Sequence, residues 1–327
     1  MNIKAAIIGM GIGQKHFEAI ENYKGAKVKI ICEKDKKKIL QLKKRFPNKI
    51  ITNDENEIFN NKEINLVSIA SYDDYHFNQI LKSIKSNKHI IVEKPMCLNF
   101  HELKKIHILL KKKKNIKIFS NLVLRVNSLF KDFKKKIDVK KIFYIEADYL
   151  WGRKKKLFEW RSKVKDYSLT LGAGIHMIDL ITWMTSLNPL SVYAVGNNKI
   201  TQKTIFKKYS LITMIFEFPM NILVKISANA VANFDHYHEV KIFSKDSTLV
   251  NSRLGAYSFK KNKLIKVNSA YPDKKNRKKL IQNFINSIKN RNIKPLISIK
   301  EQIDLMTICF AVDKSIKLKK KIKIKYL

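Results

Sequence analysis

What most restricts this chain is an alternation over its first 120 residues, in which short apolar runs are separated by stretches of helical pattern. The runs cover residues 3–8, 28–32, 50–52, 66–70, 89–93 and 116–120, too short for helices and ended by polar or turn-forming residues. Between most of them lie amphipathic segments; Phe77, Ile80, Leu81 and Ile84, for example, share one helical face. Unbroken apolar strands joined by helices imply parallel pairing with both faces covered, hence a doubly wound α/β sheet.

After residue 121 the rhythm changes. One long helix is expected over 175–187, followed by strands at 191–195, 210–218, 222–230, 239–243 and 247–251 with little helix between them. They read as a mostly antiparallel open sheet, one face on helices and the other offered to a partner. Helices at 278–290 and 300–316 follow, and the tail KKKIKIKYL, whose Ile322, Ile324 and Tyr326 alternate with lysines, reads as an edge strand. Two domains result: a nucleotide-binding α/β domain over 1–120 and a substrate-binding α+β domain over 121–327. The open sheet face leads us to expect a homodimer or homotetramer.

Composition narrows the partners. The 67 basic and 27 acidic side chains leave a net charge of +40. Such an excess can mark a nucleic-acid binder. Here the lysines are spread from end to end on polar helix faces and no basic-aromatic module appears, so no specific nucleic-acid partner is expected. Neither a membrane span nor a signal peptide can be drawn. Cys32, Cys97 and Cys309 are odd in number, distant and without a CxxC pair, which suits a reducing cytoplasm and gives no thiolate metal site.

The first strand runs into Gly9-Met10-Gly11-Ile12-Gly13-Gln14-Lys15-His16. Glycines there allow a tight strand-to-helix turn and let backbone approach a pyrophosphate seated on the helix start. The third glycine comes one residue earlier than in GxGxxG, with Gln14 in its usual place. Glu33 ends the second strand, 20 residues beyond Gly13. A carboxylate there accepts hydrogen bonds from ribose hydroxyls and repels a 2′-phosphate, so NAD is the expected cofactor; the neighbouring Lys34 leaves NADP open.

Two further stretches, Ser71-Tyr72-Asp73-Asp74-Tyr75-His76 after the fourth strand and Glu93-Lys94-Pro95 after the fifth, complete a pattern. Strand, glycine turn, His-bearing loop and EKP in this order, with GAGIHMID at 172–179, resemble the glucose-fructose oxidoreductase/inositol dehydrogenase/rhizopine catabolism (Gfo/Idh/MocA) family over essentially the whole chain. The resemblance implies an NAD(P)-dependent dehydrogenase acting on CH–OH groups of a polyol, hexose derivative or nucleotide-linked sugar. Some such enzymes use transient oxidation to cleave glycosides or epimerise sugars. It also implies that Ser71, Asp73 and His76 face the nicotinamide ribose, although Tyr72 replaces the family's usual Pro. Glu93 and Lys94 join the cofactor site.

The chemistry can also be read from the residues. Lys94, at a strand's carboxyl end, can hydrogen-bond the reacting hydroxyl and stabilise charge on its oxygen. His176 lies at a helix start, where the positive end of the helix favours neutral imidazole, and imidazole suits proton transfer near neutral pH. Its preceding glycines are expected to admit a ligand. The Asp that the family often places four residues before this His is Gly172 here, so either Asp179, one turn beyond His176, substitutes, or Lys94 and His176 work alone. Arg is rare, 7 of the 67 basic residues, yet Arg125, Arg153 and Arg161 fall close together, with Trp151 and Trp160 beside two of them. A planar fork next to an aromatic face suits a sugar bearing a carboxylate or diphosphate. His236 and His238 alternate on a strand, but no third ligand has metal-site spacing, so no metal is expected. Three readings stand: an enzyme, supported by Lys94 and His176; a nucleotide-binding regulatory protein, suggested by Gly172; and a nucleic-acid binder, suggested by charge alone.

Overall fold

The apolar runs of the first third form a six-stranded parallel sheet in the computed structural model, which describes residues 2–261, 263–269 and 271–327. In chain order β1 (Ile3–Ile8), α1 (Gly13–Glu21), β2 (Ala26–Cys32), α2 (Lys36–Arg45), β3 (Ile50–Thr52), α3 (Asn56–Asn60), β4 (Leu66–Ile69), α4 (His76–Lys85), β5 (His89–Val92), α5 (Phe100–Lys112) and β6 (Ile118–Ser120) alternate. The strands lie side by side as β3-β2-β1-β4-β5-β6, so the order reverses between β1 and β4. Ligands of open α/β sheets bind beyond the strand ends at such a switch point. Ile7, Leu66, Val67, Ile69, Ile90 and Ile91 are fully buried, as strands covered on both faces require. Side-chain caps fix two helix starts along that edge. The Asp35 carboxylate accepts from the Lys37 and Lys38 amides to open α2. Asn99 accepts from the Glu102 amide while Glu102 accepts from the Leu98 amide, a reciprocal box that opens α5 and pins the end of the EKP loop.

Beyond this sheet come α6 (Ser128–Lys136), β7 (Ile142–Leu150), α7 (Trp160–Lys163), α8 (Ile175–Thr185), β8 (Ser191–Asn197), β9 (Leu211–Phe218), β10 (Ile222–Asn229), β11 (Tyr237–Ser244), β12 (Ser247–Ser252), β13 (Gly255–Lys260) and β14 (Lys263–Lys266). Then follow α9 (Lys278–Lys289), α10 (Ile299–Leu318) and β15 (Ile322–Lys323). The second sheet runs β14-β13-β12-β11-β7-β10-β9-β8-β15 and is antiparallel except for the parallel β7–β10 pair. The expected fold class is therefore observed, and the tail supplies an edge strand paired with β8. β7, central to this sheet, was not among the expected strands. Its Ile145, Ala147 and Tyr149 are buried on one face, while Tyr144, Glu146 and Asp148 lie on the other. On that other face Lys225 of β10 binds Asp148 at 2.9 Å, so charges that break the apolar pattern are paired across strands.

The chain divides into two units, one running to Asn121 and including Lys275–Ile303, the other holding Leu122–Lys274 and Asp304–Leu327. Segment 275–303 belongs with the first sheet because α9 packs on α1, burying Leu280, Ile281, Phe284 and Ile285, and Phe284 stacks on Phe119 at 5.3 Å. No described helix is long and apolar enough to cross a membrane.

Candidate functional site

In the first unit the glycine turn is built as its sequence requires. Gly9 has φ +85°, and a Cβ there would lie 2.6 Å from the Ala70 carbonyl oxygen, so no other residue fits. A Cβ on Gly13 would meet Ile7 Cγ2 at 3.1 Å, which shows how closely α1 rides on β1. At Gly11 a Cβ would meet nothing within 4 Å. That open space lies beside the start of α1, where Ile12 offers no side-chain cap and the first amides face outward. A pyrophosphate fits this cradle.

Glu33 stands where the acidic residue was expected. Its carboxylate accepts from the Met10 amide at 3.0 Å and from the Lys34 and Asp35 amides at 2.9 and 3.2 Å. It therefore ties the end of the second strand to the glycine turn. The Lys34 ammonium sits 4.4 Å from the centre of the Tyr75 ring, a cation–π contact that parks it on the loop after β4. In that loop Ser71 donates to Gln79, and Asp73 is buried. His76 is fully buried, with Nδ1 2.7 Å from the Pro95 carbonyl and Nε2 3.2 Å from that of Ser71. Both ring nitrogens are thus engaged inside the protein, and His76 ties this loop to the EKP turn instead of presenting its ring to a ribose.

Glu93 anchors the same turn from behind. His16 of α1 places Nε2 2.9 Å from Glu93 Oε1 and Nδ1 2.7 Å from Ser68 Oγ, while Asn121 donates to Glu93 at 2.8 Å. Burial pushes the Glu93 carboxyl up, but the His16 hydrogen bond and charge, the Asn121 hydrogen bond and the Lys94 ammonium outweigh it and hold the group below the usual range. Lys94 itself is half-buried immediately after this clamp. Sequence reasoning assigned no role to His16, Ser68 or Asn121, because their partners are 52 and 77 residues away from His16 in the chain. The position of His16 in the first turn of α1, under the glycines, was the available signal.

In the second unit His176 is half-buried at the start of α8. Its ring stands edge-on to Tyr149 at 5.8 Å and to His238 at 6.4 Å. Tyr149 is the hub of this wall. It stacks on its cross-strand neighbour His238 at 4.5 Å, and its hydroxyl lies 2.9 Å from His236 Nε2. The Tyr271 hydroxyl in turn lies 2.5 Å from His238 Nδ1. His236 and His238, set aside as weak metal candidates, are aromatic and hydrogen-bonding neighbours of Tyr149. Among the described residues no three His, Cys, Asp or Glu side chains are grouped to hold a metal.

Asp179 and Arg125 are brought together. The carboxylate receives Arg125 Nε at 3.0 and 3.1 Å and the terminal NH2 nitrogen at 2.6 Å, and both residues are buried. This bidentate, buried pair binds Asp179 and Arg125 to each other. Arg161 lies over two rings, 4.2 Å from Trp160 and 5.2 Å from Trp151, so these tryptophan faces carry a guanidinium. Arg153 is exposed.

The glycines before His176 also need a correction, because protein fills the room that they were expected to leave for a ligand. Residues Thr170–Gly174 form a buried π-helical turn. A Cβ on Gly172 would lie 1.9 Å from the Tyr167 hydroxyl oxygen, and one on Gly174 would touch Met214 at 3.4 Å. From α10, Asp313 holds this segment by accepting from Thr170 Oγ1 at 2.5 Å and Ser168 Oγ at 2.8 Å. Burial raises the Asp313 carboxyl to about 6 against those two hydrogen bonds.

Residues 3–121 match the family described as oxidoreductase family, NAD-binding Rossmann fold, and residues 138–250 match the GFO/IDH/MocA C-terminal domain. Myo-inositol 2-dehydrogenase from Lactobacillus plantarum superimposes with TM-score 0.85 at 17% identity, over 99% of this chain and 100% of that one. Scyllo-inositol dehydrogenase from Lactobacillus casei, solved with NAD(H) and scyllo-inositol, gives 0.82 at 18% identity, over 99% of each. The uncharacterized oxidoreductase YdgJ of Escherichia coli is 27% identical over 112 residues, 34% of this chain and 32% of that protein. The chain spans about a third of the length of the curated relatives it matches.

Proposed function

Because this chain belongs to the Gfo/Idh/MocA family of NAD-binding oxidoreductases, we propose that it is a dehydrogenase of a neutral ring polyol or sugar-type alcohol, with Lys94 and His176 as its acting side chains. The observation that carries this reading is the Glu93 clamp: His16 and Asn121 hold the strand end rigidly, so that Lys94 leaves it in a fixed direction. When bound, the nicotinamide supplies the hydride acceptor. Lys94 hydrogen-bonds the reacting hydroxyl and stabilises the negative charge that grows on its oxygen. His176, in its wall of aromatic and imidazole rings, takes the hydroxyl proton. Gly11 and the open start of α1 receive the pyrophosphate, and Glu33 accepts from the adenosine ribose.

A neutral substrate is favoured over the anionic one that the arginines first suggested. Arg125 is neutralised by Asp179 and Arg161 is stacked on tryptophan, so Arg153 is the remaining candidate anchor. The test is NADH formation across myo-inositol, scyllo-inositol, free hexoses, uronates and nucleotide sugars. Turnover of the neutral rings supports the proposal. Turnover confined to uronates or nucleotide sugars, and abolished by Arg153→Lys, restores the anionic reading. We further propose association through the open face of the second sheet, where Tyr193, Ile215 and Leu223 are each more than 40% exposed. Light scattering on Ile215→Lys should give a smaller particle than the parent chain; equal particles refute the interface.

A further inference from the structure

Glu33 and the two residues after it form a fixed corner. The Glu33 carboxylate accepts from the Met10, Lys34 and Asp35 amides, and Asp35 then caps α2 through the Lys37 and Lys38 amides. The backbone of Lys34 is therefore held on both sides, while its side chain stays exposed. The loop after β4 is held as firmly. The Tyr75 amide donates to the Tyr72 carbonyl, and the Tyr75 carbonyl accepts from the Gln79 amide. The adjoining His76 ring is engaged by the Pro95 and Ser71 carbonyls. Between these two fixed backbones runs one soft contact. The Lys34 ammonium sits 4.4 Å from the centre of the Tyr75 ring, and the tyrosine is 41% exposed. A cation–π contact open to water is weak, and a lysine stem is flexible, so an anion placed beside it competes for the ammonium.

We propose that Tyr75 is a specificity-determining residue for the cofactor: by holding the Lys34 ammonium, it withholds from a 2′-phosphate the cation next to Glu33. The inference rests on the adenosine ribose lying beside Glu33, as proposed above. In dinucleotide-binding sheets an acid at the end of the second strand favours the free 2′-hydroxyl, and a cation nearby accommodates a 2′-phosphate. This corner carries both signs in adjacent residues. The field of the whole chain does not favour NAD, because a net charge of +40 attracts the extra phosphate. The choice is therefore local, and it turns on whether the ammonium is at the phosphate or on the ring.

The test is a pair of dissociation constants, for NAD and for NADP, measured by calorimetry at low salt without substrate. It compares the parent chain with Tyr75→Phe, Tyr75→Leu, Lys34→Gln and Tyr75→Leu/Lys34→Gln. Tyr75→Leu removes the ring and should tighten NADP about two- to five-fold, the worth of an exposed cation–π contact, with NAD unchanged. Tyr75→Phe keeps a ring and should keep the parental ratio of the two constants. In the Lys34→Gln background, adding Tyr75→Leu should leave NADP where it was. An unchanged ratio in Tyr75→Leu, or the same tightening without Lys34, overturns the proposal. Lys34→Gln alone gives an independent reading and decides the matter if Tyr75→Leu does not fold. It should barely weaken NADP, since the ammonium is held elsewhere. A loss of about tenfold or more, as for a hydrogen bond to a charged group, would show that the phosphate already reaches Lys34 and would also overturn the proposal. Failure of the chain to oxidise any polyol would strike at the function proposed above and leave these constants as they are.

Discussion

His176 and Lys94 each follow a local brace: the ring wall around Tyr149 for one, the Glu93 clamp for the other. Replacing His176 by Ala should cut turnover ~100- to 10,000-fold, the usual worth of a positioned acid–base group, and leave the NAD dissociation constant unchanged. A near-parental rate would remove His176 from the chemistry. Glu33 makes cofactor choice a question of charge, with Lys34 drawn aside onto Tyr75. NAD should bind more tightly than NADP, and equal or tighter NADP binding in a direct titration would show that Lys34 leaves Tyr75 to meet the phosphate. Asp313 has a pH signature. Its carboxyl is raised to about 6 from an ordinary 3.8, so the folded chain holds a proton there that the unfolded chain has released. Stability from this group is therefore largest below pH ~4 and declines as pH rises to ~6. Asp313→Asn should flatten the melting temperature over that window. A parental slope in the variant would assign the titration to another group.

Elements were legible in the sequence in proportion to how locally their pattern is decided. The six parallel strands announce themselves because Ile7, Val67 and Ile91 are buried whichever face they take, so no partner is needed to read them. β7 escaped notice because Glu146 and Asp148 interrupt its apolar run, and their reason for being there is Lys225, some 80 residues later. β13 and β14 form a short hairpin whose Phe259, Leu264 and Ile265 are exposed, so no buried face marks it in the sequence. The candidate site divides the same way: Lys94, Glu33 and His176 sit in motifs, whereas His16 and Tyr149 acquire their places only through tertiary contact. The Arg125–Asp179 pair is the sharpest case, since each looked functional alone and the fold joins them. Removing one partner strands a buried charge, so Arg125→Ala should lose about 3–5 kcal/mol in urea unfolding. A loss below about 1 kcal/mol, the range of exposed pairs, would mean water reaches Asp179.

For the whole molecule, a net charge of +40 predicts adhesion to polyanions that reads no sequence. Binding to duplex DNA should vanish as salt rises and show no preference among sequences; a salt-resistant, sequence-selective complex would contradict it. The division into units carries a different consequence, one of time. The nucleotide-binding unit ends its sheet at β6 but receives α9 only after about 150 further residues have been added. At typical synthesis rates that is a wait of about 8–30 s, during which Phe119 and the side of α1 that α9 covers have no partner. The ribosome thus releases an incomplete first unit alongside a growing second one. Chaperones that recognise apolar surface on nascent chains should find this protein in that interval, and lose it once residue 303 has emerged.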